Sequence, residues 1–509
     1  MRESGVLMPL FSLPGKYGIG GIGDAKKFID QLAEAKQRYW QVLPLDPMTD
    51  EFCPYQALSC MGGDPIYISP DILCEKGLLT RDELAGFEEA LEEASEAAAE
   101  DSVDYETVVP RHMALLRKAY ERFEPDAAYA VFVKDNADWL EDYAAYRSGL
   151  DAGDAAFHRW TQYEFFSEWN ELRGYAHSKG VEIIGDISYF VSYDSVDRAR
   201  HPELFQLDQE GGMQFVSGAP PDAFTPDGQC WGDPLYDWKK HERTGYAWWI
   251  ERFRQKAAMY DRIRIDHMRG FEAYYAVPEE TREPKEGHWE KGPGAALFDA
   301  VRTALPDQSG NAGSQGAGGH GGEGTAKPGG EGRLGTAGII AEDLGFITDD
   351  VRALIKATGF PGMKVLQFAF DSDEKNDYLP FNYDTDRTVV YTGTHDNDTT
   401  LGWYHKAPDW KKRFFTWYVR EKSVIGDKYG GGEVFDEGKA ADAMVELAMS
   451  TRAETCIIPL QDVLGLGSEA RINTPGTSKG NWRWRLREGG LTGDVLAKLK
   501  HLTEKYNRV

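Results

Sequence analysis

The chain has 509 residues, is 41% hydrophobic and carries a formal charge of −27, so it is long enough for one large domain with insertions or several ordinary ones. That acidity argues against nucleic acid or an acidic membrane as a partner, because phosphate binding needs clustered Lys and Arg. No stretch approaches the roughly 18 apolar residues of a membrane span, the opening MRESGVLMPLFSLPGKYG lacks a signal core, and five cysteines without a C-x-x-C pair read as free thiols, which together predict a soluble cytoplasmic protein.

The first β-rich run is VLMPL (6–10). PGKYGIGGIGD (14–24) follows, in which Gly18, Gly20 and Gly23 satisfy the dinucleotide fingerprint G-x-G-x-x-G. The exit from this segment fits that motif: Asp24 can cap a helix from Ala25 to about Lys36, with Phe28 and Leu32 on one face. Asp46 even stands at a plausible distance for a ribose-binding acid. The approach does not fit, because Pro14 and Gly15 break the chain where a buried strand must feed the turn. The segment therefore reads as a glycine-rich loop at the mouth of a barrel rather than a nicotinamide site.

RYWQVLPL (38–45) is the second run. A helical pattern then fills residues 75–165 and predicts an inserted helical subdomain between the second and third strands. VEIIGDI (181–187), RIRIDH (262–267), GIIAED (338–343), MKVLQF (363–368), TVVYTG (388–393) and TCIIPL (455–460) complete eight runs. Near-continuous apolar runs suit strands buried on both faces, and eight of them, mostly followed by helical patterns, predict an α/β fold. The expectation is a single (β/α)8 TIM barrel over 1–509 with inserted, largely helical subdomains and no separate C-terminal β domain. Residues 309–332 are Gly-rich and of low complexity, and predict a loop insertion on the barrel end opposite the site.

Barrel enzymes carry their chemistry just past the C-terminal strand ends. Here those ends read Arg264-Ile265-Asp266-His267, Ala341-Glu342-Asp343 and Thr394-His395-Asp396-Asn397-Asp398. One acid at a strand end is commonly a helix cap, but three such clusters cost energy unless used or paired. Paired carboxyls suit glycosidic chemistry, one attacking the anomeric carbon while the other moves the proton. Arg264 shares a strand face with Asp266 and would hold it ionised, whereas Glu342 would need a raised pKa. Zinc spacings and the G-x-S-x-G elbow are absent from the sequence.

RIDHMRGFEAYYAVP (264–278), IIAEDLG (339–345) and YTGTHDNDTTLGWY (391–404) resemble the amylomaltases, the 4-α-glucanotransferases or disproportionating enzymes of the α-amylase clan. The likeness continues in LMPLFSLPGKYGIGGIGD (7–24), WQVLPLDP (40–47), APPDAFTPDGQCWGDPLYDW (219–238) and ARINTPGTSKGNWRWR (470–485), so it spans essentially the whole chain. The resemblance implies Asp266 as nucleophile, Glu342 as general acid/base and Asp396 as the third carboxylate that grips sugar hydroxyls. It implies substrate contacts at Tyr55, Asp222, Trp231, Arg264, His395, Asn473 and Asp343, with Arg264 orienting the nucleophile. Cys53 and Asp64 depart from the family's usual Ser and Asn. The implied partners are α-1,4-glucans, with no metal, no organic cofactor and a monomer or weak homo-oligomer. The competing readings are an α-amylase-type hydrolase with the same acids, and a carbohydrate-binding or regulatory protein with a dead site.

Overall fold

The computed structural model describes residues 2–94, 101–151, 153–221, 225–306, 338–430, 432–477 and 479–509. In chain order the strands are β1 (Glu3–Leu7), β2 (Tyr39–Gln41), β3 (Glu182–Ile187), β4 (Phe215–Ala219), β5 (Gln229–Pro234), β6 (Arg262–Ile265), β7 (Ala273–Pro278), β8 (His288–Lys291), β9 (Ile339–Ala341), β10 (Gly362–Val365), β11 (Thr388–Tyr391) and β12 (Thr455–Pro459).

Eight of these close a parallel barrel in the order β1-β12-β11-β10-β9-β6-β3-β2. Each predicted apolar run supplies one barrel strand. The first is displaced: VLMPL was expected at 6–10, and β1 ends at Leu7. Pro9 has no N–H for the ladder, and the chain turns into a short 3-10 helix at Leu10–Ser12.

Strand alternation divides the apolar residues into two layers. Leu7, Tyr39, Ile184, Ile340, Val389, Tyr391 and Ile457 form one buried cluster, contributed by strands around the barrel. Val6, Trp40, Ile183, Ile263 and Ile339 point the other way and join the larger core beneath the helices. Between β2 and β3 lie the helices Pro70–Glu75, Arg81–Ala94, Tyr105–Tyr120, Ala127–Asp135, Ala137–Asp151 and Ala155–Ser178. The Gly-rich stretch 309–332 lies outside the described residues.

A second sheet was not foreseen. It is antiparallel, in the order β5-β4-β7-β8, and grows from the segments that follow β3 and β6. Strands such as FVSGA, QCWGDP and HWEK mix polar residues or Gly into the pattern, so they carry little of the near-continuous apolar signature that marked the barrel.

The opening glycines serve packing. Between β1 and the helix Ala25–Glu34 the chain passes through Leu10–Ser12 and Ile22–Asp24, so no strand enters the turn directly. A Cβ on Gly20 would lie 2.3 Å from the Leu10 carbonyl oxygen. Asp24 does not cap the helix with its side chain as expected; its Oδ2 accepts from the Gly21 N–H at 2.9 Å. Asp46, the alternative ribose acid, is fully buried and paired with Lys256.

Candidate active site

The register of the barrel brings the acids together. Arg264 on β6 pairs with Asp186 on β3 and with Ile340 on β9. Asp266 and Glu342 each lie two residues farther along, on the same alternation, just past the C-terminal ends of adjacent strands. Both line a cleft of about 1060 Å³, together with Asp396, His395, Tyr55, Trp231 and Asn473. Such a volume lies at the upper end of small-molecule sites and leaves room for several sugar rings.

Arg264 sits beneath the cleft, buried and forked between two carboxylates. Its Nη1 donates to Asp186 Oδ2 at 2.7 Å and its Nη2 to Asp266 Oδ1 at 2.9 Å. Planar, delocalised guanidinium geometry suits this double contact, which fixes the Asp266 carboxylate in place. The Tyr55 hydroxyl donates to the same Asp186 oxygen at 2.8 Å. Asp186 was absent from the residues picked out in sequence. Its signal was an acid near the C-terminal end of the apolar run VEIIGDI, interpretable only once the β3–β6 register places it beside Arg264.

Glu342 is held by backbone. The His267 N–H donates to Oε2 and the Leu344 N–H to Oε1, each at 2.8 Å. Burial pushes its carboxyl well above the usual carboxylate range; Arg264 opposes that shift and the nearby Asp266 charge adds to it. His267, which links the two acids, adopts φ 47 and ψ 48, a left-handed conformation uncommon for a residue with a side chain. Burial pushes its imidazole down to about 4, so at neutral pH it adds no positive charge.

Asp396 lies in the loop after β11. Burial would raise its pKa, but His395 Nε2 at 3.3 Å and the Asn473 Nδ2–H, which donates to Oδ1 at 2.6 Å, hold the carboxyl well below its ordinary value. Arg471 steadies the loop by donating to the Asp396 carbonyl at 2.8 Å. The Asp396 side chain remains 42% exposed, open to the cleft.

Aromatic rings form parts of the wall. Tyr55 stacks on His395 with centroids 5.2 Å apart and planes 20° from parallel, and Trp482 closes the group at 5.7 Å from Tyr55. Trp231 meets His267 edge to face at 5.1 Å. Trp482 was not singled out in sequence, where NWRWR offered two tryptophans with no means of choosing between them.

Two of the sequence-derived substrate contacts are placed elsewhere. Asp343 does not line the cleft; its Oδ1 accepts from the Met363 N–H at 2.6 Å and thereby anchors β10. Gly362 makes room for it, since a Cβ there would stand 2.4 Å from Asp343 Oδ2. Arg264 lies under the floor and acts through Asp266. Asp222 lies outside the described residues. Among the described residues no group of His, Cys, Asp and Glu could hold a metal ion, and no helix is long and apolar enough to cross a membrane.

The chain is similar to known proteins along most of its length. A family profile described as 4-alpha-glucanotransferase matches residues 8–153 and 150–492. The chain is 38% identical over 545 residues to a 4-alpha-glucanotransferase of Thermus thermophilus, covering 100% of this chain and 99% of that protein. It is 36% identical over 535 residues to one of Clostridium butyricum, covering 98% of this chain and 100% of the other. An amylomaltase from Streptococcus agalactiae in complex with acarbose superposes with a TM-score of 0.85 at 32% identity, with both chains covered completely. With the profile spanning most of its length and relatives matched end to end, the chain belongs to the 4-alpha-glucanotransferase family and is an enzyme of that class.

Proposed function

We propose that the chain transfers α-1,4-glucan segments between maltooligosaccharides or starch-type glucans by a retaining double displacement. Glu342 protonates the glycosidic oxygen while Asp266 attacks C1, so the C1–O bond breaks as a glycosyl–Asp266 ester forms. The reducing-end fragment leaves as an alcohol. The 4-hydroxyl of a second glucan then attacks C1, Glu342 takes its proton, and the ester breaks as the new α-1,4 bond forms.

The observation that carries this reading is the paired placement of the two acids. Asp266 is held by a guanidinium, as a nucleophile requires, and Glu342 is held by the backbone amides of His267 and Leu344 with its pKa raised, as an acid requires. Asp396, kept ionised, is suited to accept hydrogen bonds from sugar hydroxyls. Tyr55 and Trp231 offer flat surfaces for pyranose rings, and a glucan seated on them would displace water from the intermediate. The acarbose bound by the Streptococcus agalactiae relative fits a cleft that takes α-glucan-like chains. The reading places the reaction in the cytoplasm, where thiols such as Cys53 stay reduced.

The product profile from maltotriose tests the proposal. Transfer yields glucose and a ladder of longer maltooligosaccharides with the number of reducing ends conserved. A steady rise in reducing ends without longer products would assign the site to a hydrolase instead.

A further inference from the structure

The β4–β5 ribbon that borders the cleft contains a mismatch in register. Val216 pairs with Pro234 and Gly218 with Cys230, so Ser217 alone stands opposite the stretch Trp231-Gly232-Asp233. Gly232 makes the turn at φ 86, where a side chain would be strained. Bulges of this kind redirect side chains beside binding sites. Here Trp231 and Asp233 both line the cleft.

Ser217, itself fully buried, sets the Asp233 carboxyl. Its Oγ accepts from the Asp233 N–H at 2.9 Å and donates to Asp233 Oδ2 at 3.0 Å. Burial pushes the carboxyl up to about 7, so near neutral pH it spends much of its time protonated, able to donate as well as accept. No step of the transfer reaction uses this acid.

We propose that Asp233 is a specificity-determining residue that hydrogen-bonds hydroxyls of the glucosyl unit stacked on Trp231, an inference that rests on the glucan-transfer reading. A pyranose has an apolar face and a polar edge. The bulge offers an indole for the first and a carboxyl for the second, from residues two apart on one strand. Oδ2 is engaged by Ser217, which directs Oδ1 to the sugar.

Asp233→Ala, Asp233→Asn and Ser217→Ala in the full-length chain test this, with maltotriose kinetics and Tm measured for each. Asp233→Ala raises KM about 3- to 10-fold with kcat changed less than about twofold, the pattern of a contact made equally in ground and transition states. Asp233→Asn, which also donates and accepts, stays within about twofold of the wild-type KM. Ser217→Ala keeps the carboxyl and raises KM less than Asp233→Ala. If Asp233→Ala does not fold, Asp233→Ser takes its place with the same expected rise. An unchanged KM with a lowered Tm would reduce Asp233 to a clasp for the bulge and overturn the proposal, as would Ser217→Ala reproducing the whole KM effect. Failure of the wild type to make the oligosaccharide ladder would count against the transfer reading instead.

Discussion

The His267 N–H donates to Glu342 Oε2 at 2.8 Å, so the residue that follows Asp266 also holds the carboxyl at 342. One strand end thus positions both acids: Arg264 fixes Asp266 from below, and the left-handed turn at His267 presents an amide to Glu342. Strained backbone at such a place persists because the surrounding bonds determine it.

Glu342→Gln removes the proton carrier and keeps the shape. The rate of glucan transfer falls about 10²- to 10⁴-fold. Stability moves the other way. The folded-state pKa of Glu342 lies above the ordinary 4.5, so the unfolded chain releases this proton first. The wild type therefore loses stability as pH rises from about 4.5 through the folded-state value, whereas the glutamine variant does not. Thermal melts across that window show the variant gaining on the wild type as pH increases; a constant or shrinking gap would contradict the raised pKa.

The rate profile carries the same signature. Activity requires protonated Glu342, so kcat/KM declines on the alkaline side through a limb set by the raised free-enzyme pKa. A decline already complete near the ordinary glutamate value of 4.5 would mean that burial does not tune this acid.

Arg264→Met leaves Asp186 and Asp266 without their shared cation. Asp186 is fully buried, and removing one partner of a buried pair costs about 3–5 kcal/mol. Urea unfolding measures this loss. Arg264→Lys, a point charge in place of a fork, keeps more stability but cannot hold both carboxylates in the same geometry, so its kcat falls with Tm changed less than in Arg264→Met.

Asn473→Ala removes the amide that donates to Asp396 Oδ1 at 2.6 Å and frees the carboxylate from its fixed aim. The kcat/KM for maltotriose falls about tenfold, roughly the worth of one charge-assisted hydrogen bond. A wild-type value would show that His395 alone orients Asp396.

The barrel was readable in the sequence because its strands are buried on both faces and carry apolar runs such as VEIIGDI and TVVYTG. The acids at 266, 342 and 396 stood out because each follows such a run. Asp186 did not, because its meaning depends on which strand lies beside β3, and neighbours in space are not neighbours in sequence. The second sheet escaped because strands such as QCWGDP and HWEK carry no continuous apolar run, and its β4–β5 pair is broken by a bulge. Asp343, read as a substrate contact beside the acid Glu342, turns away because consecutive residues leave a strand on opposite sides, and only one of them faces the cleft.

The central claim is a covalent bond between a glucosyl C1 and Asp266. Its most direct test is mass spectrometry of the Glu342→Gln protein after exposure to a maltosyl fluoride, whose leaving group needs no acid. The account predicts a protein heavier by one maltosyl group, with the added mass on the peptide that contains Asp266 and absent from Asp266→Ala. A glycosyl group on another residue, or turnover of the fluoride that survives in Asp266→Ala, would contradict it.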